Sequence, residues 1–223
     1  YALTAEPGTQ GRVVNQGSIE AAPGGDVALV GTSVANEGSI VATAGKVSLV
    51  AGEKTTVDFD GDGMLRFTVD KAVVEQSQAL DDQVANSGEI AADGGQIAIT
   101  ASAVSGVFKN SINNSGVLRA GRIENQGGRI VLVAGGPSSS VLNTGRIDAS
   151  AAVPGAGGSI AVQAGNITSS GTVTADAAAG SGGTVKLEAV DTTLLVDDSH
   201  TTARGNGDGA TGGRVEVLGD KVG

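Results

Sequence analysis

One phrase recurs along the chain: V-x-N-x-G-x-I-x-A, then a short polar gap, then G-G-x-V-x-L. It occurs as Val13-Asn15-Gly17-Ile19-Ala21 followed by Gly24-Gly25-Asp26-Val27-Ala28-Leu29. It returns as Val34-Asn36-Gly38-Ile40-Ala42 with Val47 and Leu49, and as Val84-Asn86-Gly88-Ile90-Ala92 with Ile97 and Ile99. Weaker copies are Ile112-Asn114-Gly116-Leu118-Ala120, Val141-Asn143-Gly145-Ile147-Ala149 and Ile167-Ser169-Gly171-Val173-Ala175, each with a later apolar pair. Gly212 to Val217 matches the second half of a final copy. A period of about 20 to 30 residues makes each copy one rung of a stack rather than a domain.

Within each copy the apolar residues occupy every second position, the period of a strand with one face inward. Gly and small polar residues separate two short strand-like runs, and nothing in the repeats supports an amphipathic helix. One rung cannot bury its single apolar face. Rungs stacked about 4.8 Å apart can, by placing like side chains over one another. The expectation is an all-β chain forming a parallel β-helix. A β-sandwich would need hairpin turns and would not demand the same residue at the same place in each repeat. The recurring Asn15, Asn36, Asn86, Asn114 and Asn143 are expected to stack as a ladder of amides at an inward bend, each donating to one neighbour and accepting from another. The Gly two positions on is expected either to adopt positive φ or to permit a tight approach of the backbone.

The chain has 223 residues, enough for one elongated solenoid domain spanning 1–223. Its 37 glycines lack the collagen period, aromatics are 2% of the sequence, and there is no cysteine, which excludes disulfides and thiolate metal sites. A net charge of −10 opposes binding to nucleic acid or anionic membranes. No apolar run approaches the roughly 20 residues needed to span a bilayer, so membrane insertion is not expected.

The largest interruption is at 53–83. Val57-Asp58-Phe59-Asp60, Gly61-Asp62-Gly63 and Met64 to Val69 read as a β-hairpin with an acidic tip, followed by a short helix or extended flap from Lys71 to Leu80. Phe59 and Phe67 are expected to pack this insertion on the solenoid flank, and Phe59, Asp60, Asp62 and Phe67 are the candidate contact surface. Loops projecting from a solenoid often carry recognition. Asp58, Asp60 and Asp62 alternate as calcium ligands do at the start of a binding loop, but the twelfth position is Val69, so the EF-hand pattern fails and a turn rich in Asp and Gly remains. Asp191, Asp197, Asp198, His200 and Arg204 form a second polar group, read as a frayed last repeat and a solvated loop. No catalytic constellation is expected: the single His has no acid or nucleophile at a recognisable spacing, and Ser138-Ser139-Ser140 has no base nearby.

The copies Asn15-Gln16-Gly17-Ser18-Ile19, Val34 to Ile40 and Gly45 to Gly52 resemble the filamentous-haemagglutinin family, the large exoproteins of Gram-negative two-partner secretion. Asp58 to Leu65 is similar to a hairpin following those repeats in that family, and Asn113-Asn114-Ser115-Gly116-Val117 to its continuation. The resemblance implies a right-handed parallel β-helix, export through a dedicated outer-membrane transporter, and a secreted or cell-surface adhesin. Its ligand would lie on host cells, matrix polysaccharide or other bacteria, and no cofactor is implied. The family's amino-terminal Asn-Pro-Asn motifs are absent, which places the chain within or just after the secretion domain. A carbohydrate-active enzyme on the same scaffold is the alternative, disfavoured by one Tyr and no Trp. The stalk of a contact-dependent toxin or haemolysin is another.

Overall fold

The computed structural model describes residues 1–5, 11–59, 65–75 and 81–223. Among them there is no helix. The chain winds through three parallel sheet faces. The second face is a seven-stranded sheet of Ser18–Glu20, Ser39–Val41, Glu89–Ala91, Val117–Arg119, Arg146–Asp148, Thr172–Thr174 and His200–Thr202. Each strand pairs in parallel with its counterparts in the rungs before and after, so these strands count seven rungs.

The first face begins with Arg12–Asn15, Ser33–Asn36, Asp82–Asn86, Asn110–Asn114 and Ser140–Asn143. The third contains Val27–Gly31, Lys46–Ala51, Gln96–Ser102, Arg129–Gly135 and, at the far end, Arg214–Leu218. Two long strands, Ser159–Ser169 and Thr184–Leu195, run from the third face into the first face of the next rung, which joins both faces into one sheet. The turn is made within the ladder by a register shift between Ala164 and Asn166.

The registers place like on like. Val34, Val84, Ile112, Val141 and Ile167 form one inward column, and Ile40, Ile90, Leu118, Ile147 and Val173 another. Val47, Ile97, Ile130, Ile160 and Val185 form a third. All are buried in one continuous core. Small and β-branched side chains suit this narrow interior, where successive strands bring like side chains about 4.8 Å apart and each fills the space under the next.

The glycines after the asparagines are required by close approach, not by torsion. A Cβ on Gly38 would lie 2.0 Å from the carbonyl oxygen of Gly17, and one on Gly88 would lie 2.0 Å from that of Gly38. The same contact recurs at 2.1 Å for Gly116, Gly145 and Gly171, and none of these residues has positive φ. The corner is sharp enough for each turn to rest backbone-on-backbone on the last.

The final repeat departs from the sequence expectation. Residues 192–218 are a complete seventh rung and not a frayed one: Thr192–Leu195 pairs with Asn166–Ser169, His200–Thr202 with Thr172–Thr174, and Arg214–Leu218 with the start of Thr184–Leu195. Its signature is hidden because Leu195 stands where earlier rungs have Asn or Ser, and Thr201 where they have Ile, Leu or Val.

A separate three-stranded antiparallel sheet lies outside the coil, ordered Ala2–Thr4, Lys54–Phe59, Leu65–Lys71. The predicted hairpin is its core. Past Lys71 the chain stays extended, and Val73 makes a parallel bridge to Ala103; the remainder of the predicted helix or flap, 76–80, lies outside the described residues.

Candidate functional site

Three sets of polar residues stand apart from ordinary solvated surface: the asparagine column, the clip that holds the outer sheet, and a charged ladder along the second face. The column is continuous. Nδ2 of Asn15 donates to Oδ1 of Asn36, Asn36 to Asn86, Asn86 to Asn114 and Asn114 to Asn143, each at 2.8 Å. Asn143 then donates to the Ser169 hydroxyl at 3.1 Å. The second amide hydrogen reaches backbone carbonyls at the corner, as Asn36 does with Gly38 and Glu89 at 3.3 Å. Every amide dipole therefore points the same way, and each polar group buried at the bend is satisfied by the rung beside it. At the first rung Oδ1 of Asn15 accepts, among the described residues, from the Gly17 backbone at 3.2 Å. The column is structural, with no donor or acceptor left over for chemistry.

The outer sheet carries the predicted contact surface. In its antiparallel register Asp58 lies opposite Arg66, and Val57 opposite Phe67. Phe67 lines a cleft of about 400 Å³ between the hairpin and the third face, together with Lys46, Arg66, Gln96 and Arg129. The Phe59 side chain and all of Asp60 and Asp62 lie outside the described residues, so of the calcium candidates only Asp58 is placed. Among the described residues no group of three or more His, Asp or Glu is positioned to hold a metal.

What fixes the hairpin is a pair the sequence did not single out. The Asp26 carboxylate accepts the backbone N–H of Lys46 at 3.1 Å and that of Leu65 at 3.2 Å, while the nearly buried Lys46 ammonium donates to the Leu65 carbonyl. Asp26 and Lys46 thus clip the start of the second hairpin strand to the coil. The signal available in the sequence was a charged residue at the head of each of two adjacent third-face strands.

The second face carries the charged ladder. Asp93 accepts from the Gly121 N–H at 2.8 Å and pairs with the Arg119 guanidinium. Asp148 accepts from the Ser150 N–H at 2.9 Å, the Thr174 hydroxyl at 3.0 Å and the Arg146 guanidinium at 2.6 Å. Asp176 accepts from the Thr202 hydroxyl at 3.0 Å and the Arg204 N–H at 2.6 Å. Burial works to raise the Asp148 carboxyl, but hydrogen bonds from Ser150 and Arg146 and the charge of Arg146 outweigh it and hold the group below the usual carboxylate range. On the third face Glu188 is also lowered, by hydrogen bonds from Lys186 and Gln163. These carboxylates tie one rung to the next, and the lowered carboxyls of Asp148 and Glu188 are poor proton donors near neutral pH.

The second predicted polar group is not one site. Asp191 pairs with Lys221 at 3.2 Å, His200 contacts the Asp198 carbonyl through Nδ1, and Arg204 meets Asp176 through its backbone. Asp197 occupies a turn at φ 54°. Asp197, Asp198 and His200 share one corner, where the ring meets a backbone carbonyl, while Asp191 and Arg204 turn to partners elsewhere.

Comparison with known proteins agrees with this geometry. Solved structures that match include the crystal structure of the HMW1 secretion domain from Haemophilus influenzae, with a TM-score of 0.72 at 24% identity. That match covers 100% of this chain, which itself spans 65% of the length of the other. No curated protein matches. Residues 2–149 match the family described as the TPS secretion domain. The chain belongs to that family, and is a segment of a two-partner-secretion exoprotein.

Proposed function

We propose that this chain directs export of a large exoprotein through a partner transporter in the outer membrane of a Gram-negative bacterium, and then serves as the rigid, non-catalytic base of an adhesin at the cell surface. The family match over residues 2–149 supports the export role. The parallel pairing of every rung with the one before it supports a way of doing it. A rung emerging outside the cell meets a preformed strand edge with its columns of Val, Ile and Asn already aligned, so folding proceeds one rung at a time and opposes backsliding of the chain.

The attachment reading adds a ligand on host cells, matrix polysaccharide or other bacteria. The outer sheet with Phe67 is the face proposed to meet it, since it lies outside the coil, and Phe59, Asp60 and Asp62 are proposed from the sequence to take part.

Expressing the chain in a Gram-negative host with and without the transporter tests the export role. Transporter-dependent appearance in the medium is expected, reduced when Asn86→Ala weakens the column. Equal amounts in the medium without the transporter would end the proposal. Deleting 54–71 from the full exoprotein and measuring adhesion to cells and to polysaccharide tests the attachment reading separately.

A further inference from the structure

The cleft of about 400 Å³ between the hairpin and the third face runs along an open strand edge. Leu65–Lys71 is the last strand of the outer sheet and pairs only with Lys54–Phe59. The hydrogen-bonding parity of that sheet is fixed at its other side. The Tyr1 nitrogen donates to the Val57 carbonyl at 2.7 Å, and the Val57 N–H donates to the Tyr1 carbonyl at 2.6 Å. Val57 therefore faces Ala2–Thr4, and its neighbours Thr56 and Asp58 face the second hairpin strand, where they meet Thr68 and Arg66. Leu65, Phe67 and Val69 turn their N–H and C=O groups away from the sheet. Leu65 uses both, on Asp26 and Lys46. Those of Phe67 and Val69 have no partner among the described residues. An edge of this kind accepts a further strand.

The ground beside the edge suits one. Outward-facing Ser48, Ala98, Thr100 and Val131 make a floor of small and β-branched side chains. From the Gln96 row to the Thr100 row is about 13 Å, room for about four residues of an added strand. The bridge between Val73 and Ala103 closes the far end. Lys46, Gln96 and Arg129 stand in register at the near end, and no Asp or Glu lines the cleft. Asp26 reaches Lys46 from the coil side and Asp58 lies opposite Arg66 in the hairpin, both outside the lining. Arg129 is exposed, and its guanidinium meets no acid among the described residues.

We infer that this edge and cleft dock one extended polypeptide segment of a partner protein, with Asp or Glu where the segment leaves the near end. Main-chain bonds to Phe67 and Val69 hold it, alternate side chains meet the floor, and its carboxylates meet Arg129 and Lys46. A second folded copy of this chain does not fit. The hairpin strand packs over Lys46–Ala51 and Gln96–Ser102, and the coil continues beneath the open edge through Arg129–Gly135 and Ser159–Ser169. Pairing two such edges would drive one coil into the other, and a net charge of −10 opposes self-association as well. The cleft exists only when coil and docked hairpin are both formed, so the folded chain, not the chain in transit, meets this partner.

The test is titration of the whole folded chain with blocked peptides of about seven residues, in which Ser and Val alternate and two Glu stand at one end. One isomer carries the acids first and the other last, and twins carry Lys in place of Glu. At least one acidic isomer binds, and its Lys twin binds at least about tenfold more weakly, a difference of about 1.4 kcal/mol. The isomer that binds gives the direction of the added strand. On binding, amide exchange slows at Phe67 and Val69 and stays as it was at Arg66 and Thr68, which the ladder already protects. Val69→Pro removes one outward N–H and leaves the ladder intact, Ala98→Tyr fills the floor, and Arg129→Glu reverses the charge at the open end. Each weakens the acidic peptide by about tenfold or more, whereas Arg122→Gln on the second face leaves it unchanged. Unaltered unfolding midpoints show that the variants are folded, and their normal export separates loss of this site from failure of the export role. No binding up to about 1 mM, equal binding of the Lys twin, or protection that misses Phe67 and Val69 overturns the assignment. So does a concentration-dependent dimer in sedimentation that Val69→Pro abolishes, which would give the edge to a second copy.

Discussion

Replacing Asn86 by Ala cuts the amide column at its middle, and the structure sets the size of the effect. Asn86 is buried, accepts from Asn36, and donates to Asn114 and to the Val117 carbonyl. Its removal leaves Oδ1 of Asn114 without its donor and Nδ2 of Asn36 without its best acceptor. Each buried orphan costs about 1–3 kcal/mol, which brackets the loss at about 2–6 kcal/mol. Asn36 keeps the Gly38 and Glu89 carbonyls, both at 3.3 Å, so its share is small and the expected total is about 3 kcal/mol. At a slope of about 3 kcal/mol per molar urea, the midpoint falls by about 1 M. Asn15→Ala is the internal comparison. Asn15 begins the column and is partly open to water, so its loss orphans one amide oxygen, that of Asn36, and costs about half as much. Asn86→Asp adds a sign. A carboxylate there can accept from Asn36 but cannot donate to Asn114, and burial raises its folded pKa above the unfolded value of about 3.9. The variant is then most stable below that unfolded value and loses stability as pH rises through it toward the folded one. Urea denaturation of the three variants across pH measures all of this. Asn15→Ala proving as costly as Asn86→Ala, or Asn86→Asp being no less stable at neutral pH than in acid, would refute the account of the column as a cooperative ladder.

Gly88→Ala places a methyl group 2.0 Å from the Gly38 carbonyl oxygen, whereas Gly17→Ala meets nothing within 4 Å. Thermal melts should show a loss of about 3 kcal/mol or more for the first and a change within about 0.5 kcal/mol for the second. The lowered Asp148 carboxyl contributes stability that is present above its unfolded pKa and lost as pH falls through the folded one. Asp148→Asn should therefore flatten the acid limb of the stability profile, read from unfolding midpoints between about pH 2 and 5. Asp26→Ala removes the acceptor for two backbone N–H groups, and hydrogen exchange should quicken at Leu65 and along the outer sheet while the amides of the second face keep their protection.

Much of this fold is legible in the residues themselves. Alternation of Val and Ile gives strands, and the return of Asn and Gly at fixed offsets gives a coil with equivalent residues superposed, since only a stack makes identical positions neighbours. The hairpin follows from its turn residues, because Asp-Gly-Asp-Gly between alternating runs is a local signal. The seventh rung escaped because its column positions carry Leu195 and Thr201, so the pattern failed although the backbone pairing did not. The glycine column was half-read: the need for Gly was visible, but whether torsion or contact imposed it was not.

What the linear order cannot specify is which polar groups meet. Asp93 and Arg119, or Asp26 and Leu65, are separated by 26 and 39 positions and share no motif, because rungs of unequal length place them side by side. The repeat alone determined the coil, since strand period and like-on-like stacking are properties of spacing. Tertiary structure alone decided the Asp26–Lys46 clip and the paired ladder, since each depends on how far a loop between rungs carries the chain before it rejoins the stack.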